Sequence, residues 1–265
     1  MPSHNHFKQA LHAQRPQIGL WSTLPFPYVS ELIAGSGFDW LMLDTEHTAS
    51  DPVLMQQQLQ AVDAGRTGTT SAVVRPAWND TVLVKRYLDI GAQSLLFPFV
   101  QTPEEAAAAV AATRYPPRGV RGMGGTVRAS RFGRDADYVR DADAQICVLV
   151  QIETEEALER LEEIAAVDGI DGIFIGPADL SASMGVPGEL NHPRVRAAID
   201  AAIRRIRACG KAPGILMLDE KRAQECLDLG ALFVAVGTDQ VLLRKSADDL
   251  AKRFGRGPGA ANASY

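Results

Sequence analysis

Short apolar runs recur along the chain, and stretches with the spacing of amphipathic helices separate most of them. The runs are rich in Val, Ile and Leu, which is typical of strands buried in a parallel sheet. Eight strands are predicted, at residues 18–22, 39–44, 70–75, 93–98, 146–152, 170–175, 214–218 and 232–237. Helices are predicted at residues 29–34, 52–64, 81–90, 104–113, 155–166, 194–209, 220–229 and 240–254.

This alternation of strand and helix is typical of a (β/α)8 TIM barrel. The chain has 265 residues, which suits one such barrel, and we expect a single α/β domain over residues 17–254. Residues 1–16 are predicted as an N-terminal extension and residues 255–265 as a disordered tail. Residues 115–143 are rich in Gly and Arg and too long for an ordinary connection, which indicates a binding loop or lid.

Net charge and cysteine content indicate which kinds of partner and which cellular compartment to expect. The net charge of −5 argues against a nucleic-acid surface, so the expected substrate is a small molecule. The three cysteines, Cys147, Cys209 and Cys226, form no C-x-x-C motif, which fits a reducing cytoplasm. The N-terminus lacks the apolar segment of a signal peptide, and no run reaches membrane-spanning length. We therefore expect a cytoplasmic protein with no membrane partner.

Two carboxylates follow neighbouring predicted strands. Glu153 ends one strand and Asp179 follows the next, and parallel strands bring their carboxyl ends to one face of a barrel. Hard oxygen ligands suit Mg²⁺ or Mn²⁺, so the pair predicts a divalent metal site with open positions. Two structural interpretations stay open at this point: Glu153 pairs with Arg75, or Asp179 caps a helix that begins near Leu180.

Further polar side chains are expected at the same face. Trp21 follows the first strand, and the second strand runs into Asp44, Glu46 and His47. His47 and Asp44 have the spacing of a catalytic base and the carboxylate that orients it. The alternative is that His47 is an ordinary surface residue of a turn.

Arg75 ends the third strand, where a guanidinium can stabilise negative charge on a substrate. The alternative is a structural ion pair with Asp44 or Asp89. Asp89 itself is interpreted as a carboxylate that supports the site, or as a surface residue at a helix end. In the segment GPADLS, the amides of Ala178 and Asp179 are predicted at a helix N-terminus, which favours a bound carboxylate.

A series of segments resembles the HpcH/HpaI aldolase family, and within it the metal-dependent class II pyruvate aldolases. The segments are GLWSTLPFPYVSELIAGSGFDWLMLDTEH, VVRPAWND, LDIGAQSLLFPFVQTPEEA, RYPPRGVRG, VLVQIET, VDGIDGIFIGPADLSASMG, GKAPGIL and GALFVAVG. They occur in the family's order over nearly all of residues 18–254. Two departures are Thr45, where the family often has Gly, and a shorter GMGGTVRAS loop.

The resemblance implies a TIM barrel that assembles as a hexamer, a trimer of dimers that exchange the C-terminal helix. It implies Glu153 and Asp179 as ligands of Mg²⁺ or Mn²⁺, with Co²⁺ also accepted, and no organic cofactor. It implies Arg75 at the keto oxygen and a His47–Asp44 catalytic dyad. The remaining residues that it implies are Trp21, Gly176, Pro177, Ala178, Asp179 and Leu216 in substrate binding, with Glu46 and Asp89 as supporting carboxylates.

The expected reaction is reversible aldol cleavage of a 4-hydroxy-2-oxo acid to pyruvate, or hydroxypyruvate, and an aldehyde. A Schiff-base route would need a lysine at a strand end, and none of the six lysines follows a predicted strand. One rival is an acyl-CoA lyase similar to citrate lyase or malyl-CoA lyase, for which six arginines from Arg114 to Arg134 would bind the phosphates. Another is a non-catalytic barrel that binds an oxo acid.

Overall fold

A computed structural model describes residues 4–257 of the chain. Eight parallel strands form a closed barrel in sequence order, so each strand pairs with the next and β8 pairs with β1. The strands are β1 (Gln17–Ser22), β2 (Trp40–Asp44), β3 (Ser71–Arg75), β4 (Ser94–Phe97), β5 (Cys147–Ile152), β6 (Gly172–Ile175), β7 (Ala212–Leu216) and β8 (Phe233–Thr238). The predicted (β/α)8 barrel is confirmed.

Twelve helices are found within residues 4–257, and most surround the barrel. They are α1 (His6–His12), α2 (Pro27–Ala34), α3 (Pro52–Gly65), α4 (Thr81–Asp89), α5 (Pro103–Thr113), α6 (Tyr138–Gln145), α7 (Glu155–Glu159), α8 (Leu161–Ala165), α9 (Pro177–Ser183), α10 (Pro193–Ala208), α11 (Glu220–Asp228) and α12 (Asp239–Arg253). The predicted helix at 155–166 is interrupted at Arg160, which gives α7 and α8. Helices α1, α6 and α9 were not predicted.

Helix α1 closes the end of the barrel where the strands begin. Asn5 caps the helix by accepting a hydrogen bond from the Lys8 amide. Phe7 is fully buried, with ring centroids 5.7 Å from Trp40 and 5.9 Å from Phe233. Buried aromatic contacts of this kind contribute strongly to the stability of a core, although the helix itself is short. The described part of the predicted extension is therefore packed into the barrel.

The segment at 115–143 lies at this same closed end, because it follows α5 and leads into the start of β5. Its arginines make structural ion pairs: Arg118 with Asp143 at 2.7 Å, and the fully buried Arg121 with Asp89 at 2.8 Å. The structure places this segment at the closed end and not over the mouth of its own barrel, so it is not a lid for that mouth, and the interpretation as a binding loop stays a prediction. The predicted order of elements already indicates this end, since the segment follows the predicted helix 104–113 and precedes the predicted strand 146–152.

The C-terminal helix α12 packs loosely on the barrel. Three leucines of this helix, Leu242, Leu243 and Leu250, are exposed to solvent, and so is Phe254, which follows it. Of the predicted tail, residues 258–265 lie outside the described residues. In the described part of the chain, no helix combines the length and apolar character needed to cross a membrane.

Candidate active site

A cavity of about 510 Å³ opens where the strands end, opposite helix α1. Most of the residues expected at the site line it, namely Trp21, Asp44, His47, Arg75, Glu153, Gly176, Pro177, Ala178, Asp179 and Leu216. Glu46 lies beside them, 2.8 Å from Arg75. Side chains from six strands or the loops that follow them thus meet at one mouth, as in other TIM barrels.

Asp89 is not brought to this mouth. It is the last residue of α4, near the start of β4, and its Oδ1 accepts a hydrogen bond from Arg121 Nη2 at 2.8 Å. The expectation of a supporting carboxylate at the chain's own site is therefore wrong. A helix that follows a barrel strand runs back toward the closed end, so its last residue lies far from the mouth.

Glu153 is buried at the base of the cavity, with 3% of its surface exposed. Its Oε1 accepts a hydrogen bond from the Phe99 amide at 3.0 Å, and its Oε2 accepts one from Gln151 Nε2 at 2.6 Å. Burial raises the pKa of Glu153 to about 7, the Gln151 hydrogen bond opposes this, and the nearby charges of Asp179 and Glu46 add to it. The alternative in which Glu153 pairs with Arg75 is not observed.

Gly176 and Asp179 belong to the turn that enters α9. A Cβ at Gly176 would lie 2.5 Å from Glu153 Oε2, so the glycine leaves room for that carboxylate. Gly176 is also the N-cap of α9, and Asp179 lies in the first turn with its side chain exposed. The alternative in which Asp179 caps the helix is therefore wrong.

Arg75 is held by Asp44 in a bidentate ion pair. Nε and Nη2 lie 2.8 Å and 2.6 Å from the two Asp44 oxygens, and the guanidinium carbon lies 4.7 Å from the Trp21 ring centroid. Burial of Asp44 favours its neutral form, but the hydrogen bonds and charge of Arg75 outweigh this and lower the pKa of Asp44. Such a pair fixes the guanidinium plane relative to the cavity.

The predicted dyad of His47 and Asp44 is not formed in this structure, because both Asp44 oxygens are taken by Arg75. His47 instead has a side chain that is 67% exposed, with Nε2 3.8 Å from Glu46 Oε1. Burial raises the pKa of Glu46, while Arg75 and His47 oppose this shift. Glu46 Oε2 lies 2.8 Å from Arg75 Nη1 without the alignment of a hydrogen bond. Glu46 is thus the carboxylate nearest to His47.

The site holds more negative than positive charge. Glu46, Glu153 and Asp179 interact repulsively with one another, and Arg75 is already paired with Asp44. Among residues 4–257, no three His, Cys, Asp or Glu side chains are grouped closely enough to hold a metal alone. Two carboxylates with remaining positions open to water or substrate still fit Mg²⁺, which commonly takes one or two protein carboxylates.

Two residues of the site were missed from the sequence. Gln151 donates to Glu153 and accepts from Arg75 Nη1 at 3.4 Å, so it connects the two halves of the site. The signal was present, since Gln151 is the polar residue of an otherwise apolar strand β5. Thr45, noted only as a departure from the family, donates its hydroxyl hydrogen to the Arg75 carbonyl at 2.6 Å.

Comparisons with known proteins agree with this geometry. A family model described as HpcH/HpaI aldolase/citrate lyase matches residues 17–246. A 4-hydroxy-2-oxo-heptane-1,7-dioate aldolase of Salmonella dublin is 56% identical over 261 residues, which is 98% of each chain. The crystal structure of an HpcH/HpaI aldolase/citrate lyase family protein from Burkholderia cenocepacia J2315 is similar with a TM-score of 0.91 at 37% identity. It covers 94% of this chain and 99% of that one.

A more distant solved structure shares the fold alone. It is a citrate lyase beta subunit of M. tuberculosis complexed with oxaloacetate and magnesium, with a TM-score of 0.55 at 17% identity. The match covers 86% of this chain and 93% of that one. The barrel architecture thus extends to proteins that have diverged far in sequence.

Proposed function

We propose that the substrates of this chain are 4-hydroxy-2-oxo acids. The premise is that the chain belongs to the HpcH/HpaI aldolase/citrate lyase family and is an aldolase. The enzyme would cleave these acids reversibly to pyruvate, or hydroxypyruvate, and an aldehyde. The observation that carries this proposal is the excess of carboxylates at the mouth, where neither Glu153 nor Asp179 forms an ion pair with a cation among residues 4–257. Such a pair suits a divalent cation and the 2-oxo acid that binds beside it.

Glu153 and Asp179 would hold the ion, with Mg²⁺ or Mn²⁺ preferred for their oxygen ligands and Co²⁺ also accepted. When bound, a divalent cation supplies Lewis acidity that stabilises negative charge on the substrate's 2-oxo oxygen. The hydrogen bonds of Glu153 to Phe99 and Gln151 orient both of its oxygens, so they hold the carboxylate in place before any ligand arrives.

Arg75 would stabilise the enolate that forms when the C3–C4 bond of the substrate breaks. Its bidentate pair with Asp44 and its stacking on Trp21 fix the guanidinium, so little reorganisation is needed as charge develops on the oxo oxygen. Ala178 and Asp179 would bind the substrate carboxylate through their amides, within a wall completed by Gly176, Pro177 and Leu216.

His47 would accept the proton of the C4 hydroxyl during cleavage and return a proton in synthesis. Its exposed ring is free to approach a substrate that fills the cavity. We propose Glu46 as the carboxylate that assists it, because Asp44 is engaged by Arg75 and Glu46 lies nearest to the imidazole.

The acyl-CoA lyase alternative is less well supported. It relies on the arginines of residues 114–134 to bind phosphates, and this segment leads into the strand end opposite the cavity. Arg118 and Arg121 are also occupied by Asp143 and Asp89. The non-catalytic alternative predicts a barrel that binds an oxo acid without moving a proton.

Exchange of the pyruvate methyl protons with solvent tests the proposal, because only enolate formation allows it. We expect the wild-type protein to exchange these protons when Mn²⁺ is added and to lose the activity with a chelator, as followed by NMR in D₂O. His47→Ala should reduce exchange by roughly 10²–10⁴-fold while keeping Mn²⁺ binding, since general-base catalysis is typically of that size. Absence of exchange in folded, Mn²⁺-loaded protein would contradict the aldolase mechanism.

The assembly is proposed as a hexamer, a trimer of dimers that exchange helix α12. The exposed leucines of α12 support this, because a helix with unburied apolar residues gains stability when another subunit covers them. We further propose that residues 17–254 form the aldolase domain and that the protein works in the cytoplasm, where its cysteines stay reduced. Free Cys147, Cys209 and Cys226 fit this compartment.

A further inference from the structure

Phe99 adopts a backbone conformation that bulky residues rarely accept. Its φ is +52°, in the left-handed region that favours glycine. Three other described residues besides glycines share this property, Gln14, Arg131 and Phe132, and none of them lines the mouth. Phe99 lies in the short loop between β4 and α5, directly beside the buried Glu153. A strained conformation kept next to a functional carboxylate calls for a physical reason.

The conformation aims two successive amides at the end of β5. The Phe99 N–H donates to Glu153 Oε1 at 3.0 Å, and the Val100 N–H donates to the Gln151 carbonyl at 2.9 Å. In an extended strand, successive N–H groups point to opposite sides, whereas a left-handed residue can bring neighbouring amides to one side. The Val100 amide is fixed by its hydrogen bond to the Gln151 carbonyl. The φ angle of Phe99 therefore determines the direction of the Phe99 N–H.

The rest of the loop is fixed from both sides. Thr154, which follows Glu153, donates its hydroxyl hydrogen to Gln101 Oε1 at 3.0 Å. The Phe99 ring packs on Trp78 with ring centroids 5.8 Å apart, and both rings are partly exposed to solvent. Neither ring lines the cavity. The side chain of Phe99 is therefore not needed to contact a substrate in that cavity, and its backbone is the part that reaches the site.

We propose that Phe99 is a positioning residue, whose left-handed backbone holds Glu153 in the orientation that binds the divalent cation. The inference rests on the proposed role of Glu153 as a metal ligand. It predicts that metal affinity follows how well the residue at position 99 tolerates the left-handed region, rather than how much apolar surface it contributes.

The test compares variants that all remove the ring but differ in backbone preference. Phe99→Gly should bind Mn²⁺ at least as tightly as the wild type, because glycine adopts this conformation without steric cost. Phe99→Val should bind it roughly tenfold more weakly than Phe99→Gly, because a β-branched residue disfavours the left-handed region. Trp78→Ala removes the ring contact and leaves position 99 intact, so its affinity should equal that of the wild type. Dissociation constants come from Mn²⁺ titration followed by EPR, with circular dichroism to verify folding.

The outcomes separate this inference from the proposed function. If the wild-type protein does not bind Mn²⁺, the metal role of Glu153 is wrong. If the wild type binds but the Gly and Val variants bind equally, the positioning role of Phe99 is overturned. Should the Val variant not fold, Phe99→Ala serves in its place, with an affinity about threefold below that of Phe99→Gly. Equal affinities of the Ala and Gly variants would then overturn the inference.

Discussion

Each end of the barrel contains a carboxylate whose side chain is shielded from solvent, and the two carboxylates differ in the charge of their neighbours. At the closed end, the Asp171 side chain is 7% exposed and lies 2.7 Å from His12 Nε2 and 3.3 Å from Lys8 Nζ. Its Oδ2 also accepts a hydrogen bond from the Val148 amide at 2.8 Å. At the mouth, Glu153 is more deeply buried, and its hydrogen-bond donors among residues 4–257 are the neutral Phe99 amide and Gln151 side chain.

This difference in charged neighbours distinguishes a carboxylate with a structural role from one with a functional role. Asp171 contacts the ammonium of Lys8 and the imidazole of His12, both on helix α1, so it joins that helix to the barrel. Glu153 has carboxylates as its charged neighbours, which leaves a negative site that a cation from solution can neutralise. A buried charge without its counterpart is costly, and such sites are where proteins bind ligands.

The largest expected effect comes from removing the charge at the mouth. Glu153→Gln keeps the size of the side chain but loses the negative oxygen, so we expect Mn²⁺ binding to weaken by at least about 100-fold. Turnover should fall by roughly 10³-fold, since a Lewis acid contributes several kcal/mol to enolate stability and each 1.36 kcal/mol is a factor of ten. Calorimetric Mn²⁺ titration and steady-state kinetics measure the two effects. Unchanged Mn²⁺ affinity in a folded variant would remove the distinction between the two ends.

The pH dependence of stability gives the next largest effect. The pKa of Glu153 is about 7 in the folded protein and 4.5 by reference, so the folded state retains a proton that the unfolded state has lost between these values. The free energy of unfolding of the metal-free protein should therefore decrease as pH rises through this window, by up to about 3 kcal/mol, and level off above it.

Denaturant unfolding at several pH values measures this slope, and Glu153→Gln is the matched control because it cannot titrate. The difference in free energy of unfolding between wild type and variant should show the predicted decrease with pH. Added Mn²⁺ should reverse it, because the ion competes with the proton for the same carboxylate. Parallel curves for the two proteins without metal would contradict the shifted pKa of Glu153.

The smallest effect is expected at the closed end. Asp171→Asn leaves Lys8 and His12 without their acceptor charge, which should cost about 1–3 kcal/mol of folding free energy. Mn²⁺ affinity should stay within twofold of the wild type, because the change lies at the opposite end of the strands. Chemical denaturation and Mn²⁺ titration on the same preparation test both statements. A loss of metal affinity comparable to that of Glu153→Gln would show that the two ends are coupled.

The positions of the site residues along the chain were predictable because a barrel collects strand ends. Glu153, Asp179, Arg75 and Asp44 each follow or end an apolar run, and the parallel topology brings them to one face. Helix α1 also left a signal, since Phe7 and Leu11 are spaced four residues apart on one helical face. A short helix at a chain terminus is easily taken for an extension when only its length is considered.

The partners of those residues were not predictable. The register of β2 and β3 sets Asp44 directly opposite Arg75, and this pairing takes both carboxylate oxygens away from His47. Register depends on side-chain packing over two whole strands, and the spacing of three residues between Asp44 and His47 does not reveal it. Likewise, nothing in the order of residues indicates that the Phe99 amide reaches Glu153 across 54 positions.

The sequence by itself determined the barrel, the face that carries the site and the residue types that meet there, because periodicity and strand ends are local properties of the chain. Only the tertiary structure decided which carboxylate is neutralised and which is left for a ligand. That decision depends on distances of a few ångströms between residues far apart in sequence, where burial strengthens each charge interaction and makes a missing partner costly.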